Sequence, residues 1–317
     1  MKNSERPLGN LLQQKLTSFD AKNHPLPGID RPETRDAFVE QLIDSIRRVR
    51  YLAVMRSRQI SINRADPILD SFDPLRAAEL QRRSGNLDEA FWLVFLAIYC
   101  GKHGKSGWRL TRDLYGGLQQ AGTWTWALVS ARPQDFEKWV RGAYLTLLGG
   151  DGVRRGFGNH RQYESLKPDA PKSPAKVVAS YVAWVQQGGG HIGLINEARL
   201  KTDGHPRSVF NYMYRSMNVV LGFGRLGRFD YLTMIGKMGL ADIEADSAYM
   251  QGATGPLTGG RLLFRGAKNA ALQIRELDQL FLQLGDYLNV GPQAMQVMED
   301  AVCNWQKSPD QYLPFKD

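Results

Sequence analysis

The sequence predicts an all-α or mainly α fold. Apolar side chains recur at helical spacing in several stretches, of which Phe38 to Ala53 is typical. Strand signals are scarce, and no series of alternating strands and helices appears, which argues against a doubly wound sheet. Apolar residues make up 43% of the 317 residues, so the chain is long and apolar enough to bury a large core.

The helices are predicted in order along the chain. Asp30 caps the first helix, with Pro32 and Glu33 in its first turn. The second helix, Leu87 to Cys100, is apolar on all sides, so we expect it at the centre of the core. Six further stretches have helical patterns: Pro133 to Leu148, Pro174 to Gln187, Pro206 to Leu221, Arg228 to Met238, Ala267 to Leu284 and Pro292 to Gln306.

The domain organisation follows from where periodicity stops. Residues 1–29 are polar and contain several turn-forming residues, so we expect a flexible N-terminal arm. Residues 30–317 then form one helical domain with two lobes. We place a soft boundary between the lobes at 151–173, where glycines, prolines and charges show no clear periodicity.

Charge and cysteine content limit the class of protein. The formal net charge is +9 and the pI is near 9.5, which favours polyanionic partners. Cys100 and Cys303 are too few for a four-cysteine metal site, and we expect buried free thiols. No metal-binding spacing or cofactor signature is present, so neither a metal nor a cofactor is predicted. Without a secretory signal or a membrane-spanning apolar run, the expected location is the cytoplasm, with no membrane contact.

The stretch Gly101 to Arg112, which follows the apolar helix, is basic and interrupted by glycines. Glycines let backbone amides approach an anion, and nearby cations suit phosphate or pyrophosphate. The four cations are Lys102, Lys105, Arg109 and Arg112. The residue order is not that of a Walker A loop. A solvated turn without function is the alternative interpretation.

Two other stretches have features of nucleic-acid binding. Arg154 to Glu164 interleaves basic residues with aromatic ones, a pattern that binds a backbone and stacks on an exposed base. A charged linker is the alternative. Tyr249 to Arg261 has small residues and a proline between two helical patterns, which predicts a hairpin whose amides hold a DNA phosphate. A plain interhelical turn is the alternative here.

The stretch Gly222 to Leu232 satisfies the dinucleotide fingerprint G-x-G-x-x-G through Gly222, Gly224 and Gly227. The residues before it have helical spacing, and no further strands follow, so it lacks the strand–turn–helix context of a dinucleotide site. Phosphate-rich nucleic acid is therefore the favoured ligand.

Three residues are candidates for acid–base chemistry. Asp230 stands near Arg225 and Arg228, and is either a general base or a salt-bridge partner. His103 and His160 each lie inside a basic segment.

Taken together, these segments resemble clade 3 of the α-glutamyl/putrescinyl thymine pyrophosphorylase family, also called amino acid:DNA transferases. The similar stretches are Asp88 to Trp92, Gly101 to Arg112 with Tyr115, Gly158 to Arg161, Phe223 to Leu232 and Gly252 to Pro256. The resemblance implies a helical fold like that of helix-hairpin-helix DNA glycosylases. It also implies phage-type thymine hypermodification, in which an amine such as glycine is joined to the 5-methylene carbon of pyrophosphorylated 5-hydroxymethyluracil in DNA, with release of pyrophosphate.

Under this resemblance the candidate residues fall into four groups. The general base is Asp230 or His103. The residues expected to bind pyrophosphate are Lys102, Lys105, Arg109, Arg112, Arg225 and Arg228. The aromatic residues expected to stack on a flipped base are Trp108, Phe229 and Tyr231. The residues expected to hold the DNA backbone are Arg154, Arg155, His160, Arg161, Gly252, Thr254 and Gly255.

The partners implied by the resemblance are DNA carrying modified thymine and a free amino acid or amine. Two other functions stay open at this point. The glycosylase likeness allows a base-excision enzyme, and the charge excess alone allows a DNA-binding protein without catalytic activity.

Overall fold

The computed structural model describes residues 3–315 and confirms the mainly α prediction. In this part of the chain there are fourteen α-helices and no strand. The helices are α1 (Arg6–Lys22), α2 (Pro32–Ser57), α3 (Pro74–Arg83), α4 (Leu87–Cys100), α5 (Arg109–Tyr115), α6 (Trp126–Ala131), α7 (Pro133–Gly142), α8 (Pro174–Gln187), α9 (His191–Lys201), α10 (Pro206–Ser216), α11 (Arg225–Lys237), α12 (Gly255–Arg265), α13 (Ile274–Leu288) and α14 (Ala294–Trp305). The helix-hairpin-helix arrangement stays a prediction.

The chain divides into two compact units. The first comprises the residues up to Val54 together with those from Glu244 onwards, and the second runs from Met55 to Ile243. The segment 151–173, where the sequence predicts a soft boundary, lies inside the second unit. Its glycines serve internal packing there, since the amide of Gly158 donates to the carbonyl of Cys100 at 2.7 Å.

The first unit contains a helix where the sequence predicts a flexible arm over residues 1–29. Pro7 stands in the first turn of α1, where its missing amide hydrogen does no harm. Leu12, Leu16 and Phe19 form an apolar stripe whose members are at most 1% exposed. The stripe packs against α13, which orders the segment. The expectation of a flexible arm rests on the turn-forming residues alone and leaves out this apolar stripe.

The first unit also contains close contacts between helices that only glycine permits. A Cβ atom on Gly28 would lie 2.2 Å from the carbonyl oxygen of Leu262 in α12. A Cβ atom on Gly259 would lie 2.3 Å from the carbonyl oxygen of Val302 in α14. Helix α12 is therefore packed backbone to backbone on two sides.

Helix α4 is the centre of the second unit, as its all-round apolar character predicts. Its bounds are the predicted ones, and it packs against α3, α5, α6 and α11. The ring of Phe95 stacks on Tyr181 at 3.7 Å and on Phe223 at 4.9 Å between centroids. The two rings come from α8 and from the Gly222 to Leu232 segment, so α4 positions both.

Several predicted helices end earlier or begin later than expected. Within Pro133 to Leu148 the α-helix ends at Gly142, and a π-helix, Thr146–Gly150, follows. Within Pro206 to Leu221 the α-helix ends at Ser216, and a 3-10 turn, Met217–Val219, follows. The predicted hairpin Tyr249 to Arg261 contains the start of α12, with Pro256 in its first turn. Within residues 3–315, no helix is long and apolar enough to cross a membrane.

Candidate active site around Arg161

Three of the four basic or glycine-rich segments meet in the second unit. A Cβ atom on Gly158 would lie 2.8 Å from the carbonyl carbon of Gly101, so the first two segments touch backbone to backbone. A Cβ atom on Gly227 would lie 2.8 Å from Nη1 of Arg161, so the second segment also reaches the third. The fourth segment, Tyr249 to Arg261, belongs to the first unit.

The loop between α4 and α5 is closed by His103. Its amide donates to the carbonyl of Gly107 at 3.0 Å, and the Gly107 amide donates back at 2.8 Å. The ring Nδ1 of His103 accepts from the amide of Ser106 at 3.0 Å. A neutral imidazole whose Nδ1 accepts carries its proton on Nε2, so its outer nitrogen is a donor. This arrangement holds the loop and disfavours His103 as a general base.

The four cations of this loop have different surroundings. Lys102 and Lys105 are exposed. Arg109 donates through Nη2 to Asp70 at 3.0 Å, and Arg112 pairs with the same carboxylate. Arg112 is only 5% exposed and also pairs through Nε with Asp113 at 3.2 Å. The lysines are therefore the cations that this loop presents most openly to an anion from solution, whereas each arginine already contacts a carboxylate.

Arg155 belongs to the same internal network. Its Nε donates to Asp113 at 2.6 Å, and its Nη1 donates to Asp151 at 2.8 Å and to the carbonyl of Thr146 at 2.7 Å. Hydrogen bonds from Arg155 hold the pKa of the Asp151 carboxyl well below its usual range. Arg155 therefore fixes its own segment, while Arg154 and His160 are exposed beside it.

Arg161, predicted to contact the DNA backbone, lies at the junction of the three segments. Its side chain is 7% exposed, and its Nε donates to the carbonyl of Ile98 in α4 at 2.9 Å. Its Nη2 lies 3.7 Å from Oδ2 of Asp230 in α11. Its guanidinium also faces the ring of Phe223, 5.3 Å from the centroid. In this position Arg161 joins the C-terminus of α4 to α11.

Buried polar atoms without hydrogen-bond partners gather at this junction. Within the described part of the chain they include Nη2 of Arg161, Oε2 of Glu164 and Oη of Tyr99. Burial raises the pKa of the Tyr99 phenol well above its usual range, and Glu164 and Arg161 act on it in opposite senses. Buried polar atoms are nearly always paired in folded proteins, so three unpaired atoms on neighbouring residues make this junction a candidate site.

Glu164 is the functional candidate that sequence reasoning misses. Burial raises the pKa of its carboxyl, while Arg161 and Lys172 act to lower it. The position that a Cβ atom on Gly222 would take is 3.4 Å from its Oε2, so the carboxyl also reaches the third segment. The sequence contains one sign of it: Glu164 is the one acidic residue in the otherwise basic stretch Arg154 to Glu164.

The predicted stacking residues have different environments. Phe229 and Tyr231 are each 1% exposed and belong to the core of the second unit. Trp108 is half-buried where α5 begins. Tyr163, which was not among the predicted stacking residues, is 93% exposed.

Tyr231 ends a hydrogen-bonded chain that the sequence does not reveal and that begins at the half-exposed carboxylate of Asp88. Oδ1 of Asp88 lies 2.6 Å from Nδ1 of His191, whose Nε2 lies 2.8 Å from the Tyr181 hydroxyl. That hydroxyl lies 2.8 Å from the hydroxyl of Tyr231. Burial lowers the pKa of His191, and Asp88 partly opposes this effect. The chain joins α4, α8, α9 and α11.

The remaining predicted residues of the third segment lie at the start of α11. Arg228 donates to the carbonyl of Tyr214 at 3.0 Å and faces the Tyr214 ring at 4.3 Å, so it is engaged with α10. Arg225 is half-buried at the first position of the helix. A 3-10 turn, Met217–Val219, precedes Gly222 where a dinucleotide site would need a strand.

In the first unit, the predicted backbone-binding residues Gly252, Thr254 and Gly255 lie just before and at the start of α12. Gly252 has a left-handed backbone with φ of 80°. A Cβ atom on Gly255 would lie 2.6 Å from Sγ of Cys303, so packing requires glycine there. Cys303 is half-buried and Cys100 is buried, and neither forms a disulfide.

Comparison with known proteins adds one finding. A sequence model of the family described as alpha-glutamyl/putrescinyl thymine pyrophosphorylase clade 3 matches residues 33–317. The match includes all four segments and parts of both units. No curated protein and no solved structure matches the chain.

Proposed function

The chain belongs to clade 3 of the alpha-glutamyl/putrescinyl thymine pyrophosphorylase family, and on this premise we propose that it is an amino acid:DNA transferase. Membership implies a pyrophosphorylase-type function in thymine hypermodification, and so an enzyme that acts on thymine in DNA. The proposed reaction joins an amine, with glycine favoured, to the 5-methylene carbon of pyrophosphorylated 5-hydroxymethyluracil. The observation that carries the proposal is the convergence of three segments on Arg161, with exposed cations outside and unpaired polar atoms inside.

The reaction is a displacement at carbon. The amine nitrogen attacks the methylene carbon, the bond from that carbon to the pyrophosphate oxygen breaks, and pyrophosphate leaves with the electron pair. Positive charge near the leaving oxygen stabilises the negative charge that develops there. Exposed Lys102 and Lys105 are the proposed contacts to pyrophosphate. Arg109 and Arg112 support them by fixing the start of α5 through Asp70.

Of the two predicted bases, the geometry favours Asp230 as the group that meets the amine. The Nδ1 of His103 is an acceptor within its own loop, which leaves a donor at Nε2. Asp230 is 25% exposed and faces Arg161, whose Nη2 is one of the buried atoms without a hydrogen-bond partner. Its negative charge suits contact with the ammonium form of the incoming amine.

The residues proposed to contact DNA are those predicted residues whose side chains reach the surface. Arg154 and His160 are exposed on the segment that contacts the loop Gly101 to Arg112, and their side chains suit the phosphate backbone of DNA. A target base flipped from the duplex needs an aromatic face, and Trp108 is the predicted residue of this group that reaches the surface. Phe229 and Tyr231 are residues of α11 itself, and their burial anchors that helix in the core.

The test is direct product analysis. The protein is incubated with duplex DNA that contains pyrophosphorylated 5-hydroxymethyluracil and with glycine or other amines, and the DNA is digested to nucleosides for mass spectrometry. We expect a covalent amine adduct and one pyrophosphate released per adduct. Abasic sites in place of adducts would indicate a glycosylase. Binding without adduct or pyrophosphate would indicate a DNA-binding protein without this activity.

A further inference from the structure

Glu164 occupies a position that the proposed reaction has not yet used. It follows the 3-10 turn Asn159–Arg161, and its amide donates to the carbonyl of Arg161 at 2.9 Å. The side chain is half-buried, so part of it is open to solvent. Its Oε2 is buried, has no hydrogen-bond partner and lies next to Gly222.

The groups that face this carboxyl come from three parts of the second unit. Arg161 in the 3-10 turn and Lys172 before α8 favour its charged form. The buried phenol of Tyr99 at the C-terminus of α4 is the third group. Burial outweighs the two cations and raises the pKa of Glu164. A carboxylate with a raised pKa and an unused lone pair is a better proton acceptor than an ordinary glutamate.

The two carboxylates near Arg161 differ in a way that assigns their roles. Asp230 faces the guanidinium of Arg161 across 3.7 Å, whereas Oε2 of Glu164 has no donor. Two carboxylates in unlike environments commonly divide into one that stays ionised and one that exchanges a proton.

We propose that Glu164 is the proton acceptor that converts the ammonium group of the substrate into a neutral amine, while Asp230 holds that amine in place. The inference rests on the proposed transfer of an amine to DNA. In the step itself, one N–H bond of the ammonium breaks, the proton moves to the Glu164 carboxylate, and the nitrogen keeps the electron pair. That pair then forms the bond to the methylene carbon as pyrophosphate departs. The second proton of the new ammonium product leaves to solvent.

The test compares two nucleophiles in wild type and in Glu164→Gln. Glycine is protonated at neutral pH and needs a base, whereas hydroxylamine is already neutral and does not. We expect Glu164→Gln to lose about a hundredfold or more of the transfer rate with glycine, the usual contribution of a general base. With hydroxylamine the variant and the wild type should react at similar rates. Glu137→Gln on α7, an exposed glutamate of the same unit, is the matched control and should behave as wild type with both.

The outcomes separate this inference from the function it rests on. A wild type that forms no adduct with either nucleophile overturns both. An active wild type with an equally active Glu164→Gln variant, or with a variant impaired equally for both nucleophiles, overturns the role of Glu164 alone. If Glu164→Gln does not fold, Glu164→Asp decides, because it keeps a carboxylate. It should be impaired more with glycine than with hydroxylamine, and equal impairment overturns the inference.

Discussion

Two buried charge clusters in the second unit are built in opposite ways. In the first, Glu79 of α3 has a side chain that is 0% exposed, and it is surrounded by arginines. Arg82 donates to its two oxygens at 2.9 Å each, and Arg83 donates at 2.9 Å to one of them. Arg56 lies 3.5 Å from the same carboxylate. The carboxylate of Glu79 is fully used by its neighbours.

In the second cluster, around Arg161, pairing is incomplete. Nη2 of Arg161 has only the distant carboxylate of Asp230, and Oε2 of Glu164 and Oη of Tyr99 have no hydrogen-bond partner among the described residues. Leaving such atoms buried and unpaired costs stability. The two carboxylates therefore differ, since both oxygens of Glu79 have donors and Oε2 of Glu164 has none. This contrast supports the proposals that the Glu79 cluster serves the fold and that the Arg161 cluster binds a ligand.

The largest expected effect tests the structural half of this comparison. Replacing Glu79 by alanine leaves three arginines facing a buried position without their carboxylate, and we expect a loss of about 3–5 kcal/mol in the free energy of unfolding. Urea denaturation measures it. Asp169→Ala breaks an exposed pair with Arg141 and should change stability by less than about 1 kcal/mol.

The Glu79→Ala variant should keep normal transfer activity per folded molecule. A selective loss of activity would break the comparison, because it would give the Glu79 cluster a role in the reaction.

The next effect tests the functional half. Arg161→Lys keeps the charge but removes the Nε donor to the carbonyl of Ile98, so Asp230 loses its fixed partner. We expect the transfer rate to fall about a hundredfold, as for a misplaced catalytic group, with a small change in unfolding midpoint. Single-turnover kinetics and thermal melting measure the two quantities. Arg154→Lys, an exposed neighbour, is the control. If the melting temperature falls together with the transfer rate, Arg161 serves the fold, as Glu79 does, and not the reaction.

A third buried group sharpens the comparison through pH. Burial lowers the pKa of His191, so the folded protein holds it neutral. Above about pH 6.5 the unfolded chain is neutral there too, and stability is unaffected. Below that pH the unfolded chain takes up a proton that the folded state resists, so stability falls by about 1.4 kcal/mol for each unit of pKa lowering.

Urea denaturation between pH 5 and 8 should show this fall in wild type and a flatter profile in His191→Gln. His160→Gln, which changes an exposed histidine, should keep the wild-type profile. Identical profiles for wild type and His191→Gln would contradict the prediction.

The smallest effect concerns the exposed cations outside the Arg161 cluster. Each lysine that contacts a phosphate contributes about one unit to the slope of log affinity against log salt. Lys102→Ala and Lys105→Ala should each lower that slope by about one, measured by fluorescence anisotropy with a labelled duplex. Arg112→Lys should leave the slope unchanged, since Arg112 is 5% exposed and paired with Asp70 and Asp113. A steeper slope change for Arg112→Lys than for the lysines would assign the phosphate contact to Arg112.

Much of the fold was predictable because its signals are local. The bounds of α4 and α8 were predicted exactly, since an acidic first turn and a glycine mark α4, and Ser173 with Pro174 marks the start of α8. Helix α5 was missed because its seven residues are too few for a periodic pattern.

The site was predicted in its segments but not in the roles of its charges. The three segments were singled out for glycine and charge, and they do meet. Whether an arginine is free or neutralised depends on contacts between distant residues, as for Arg112 and Asp70, which are 42 positions apart. The burial of Glu164 is set by the packing of its segment against Tyr99 and Gly222 in the same way. The spacing of residues along the chain does not show which distant residues pair in the fold.

The contact between Gly101 and Gly158 has a consequence for redesign. Each backbone occupies the space where a side chain of the other would begin. The stretches Gly101 to Arg112 and Arg154 to Glu164 therefore cannot be varied one at a time. A chimaera that takes only one of these loops from another member of the family would push the other out of place. Exchange of amine or DNA preference by loop grafting would therefore require both loops to be transplanted as a single cassette.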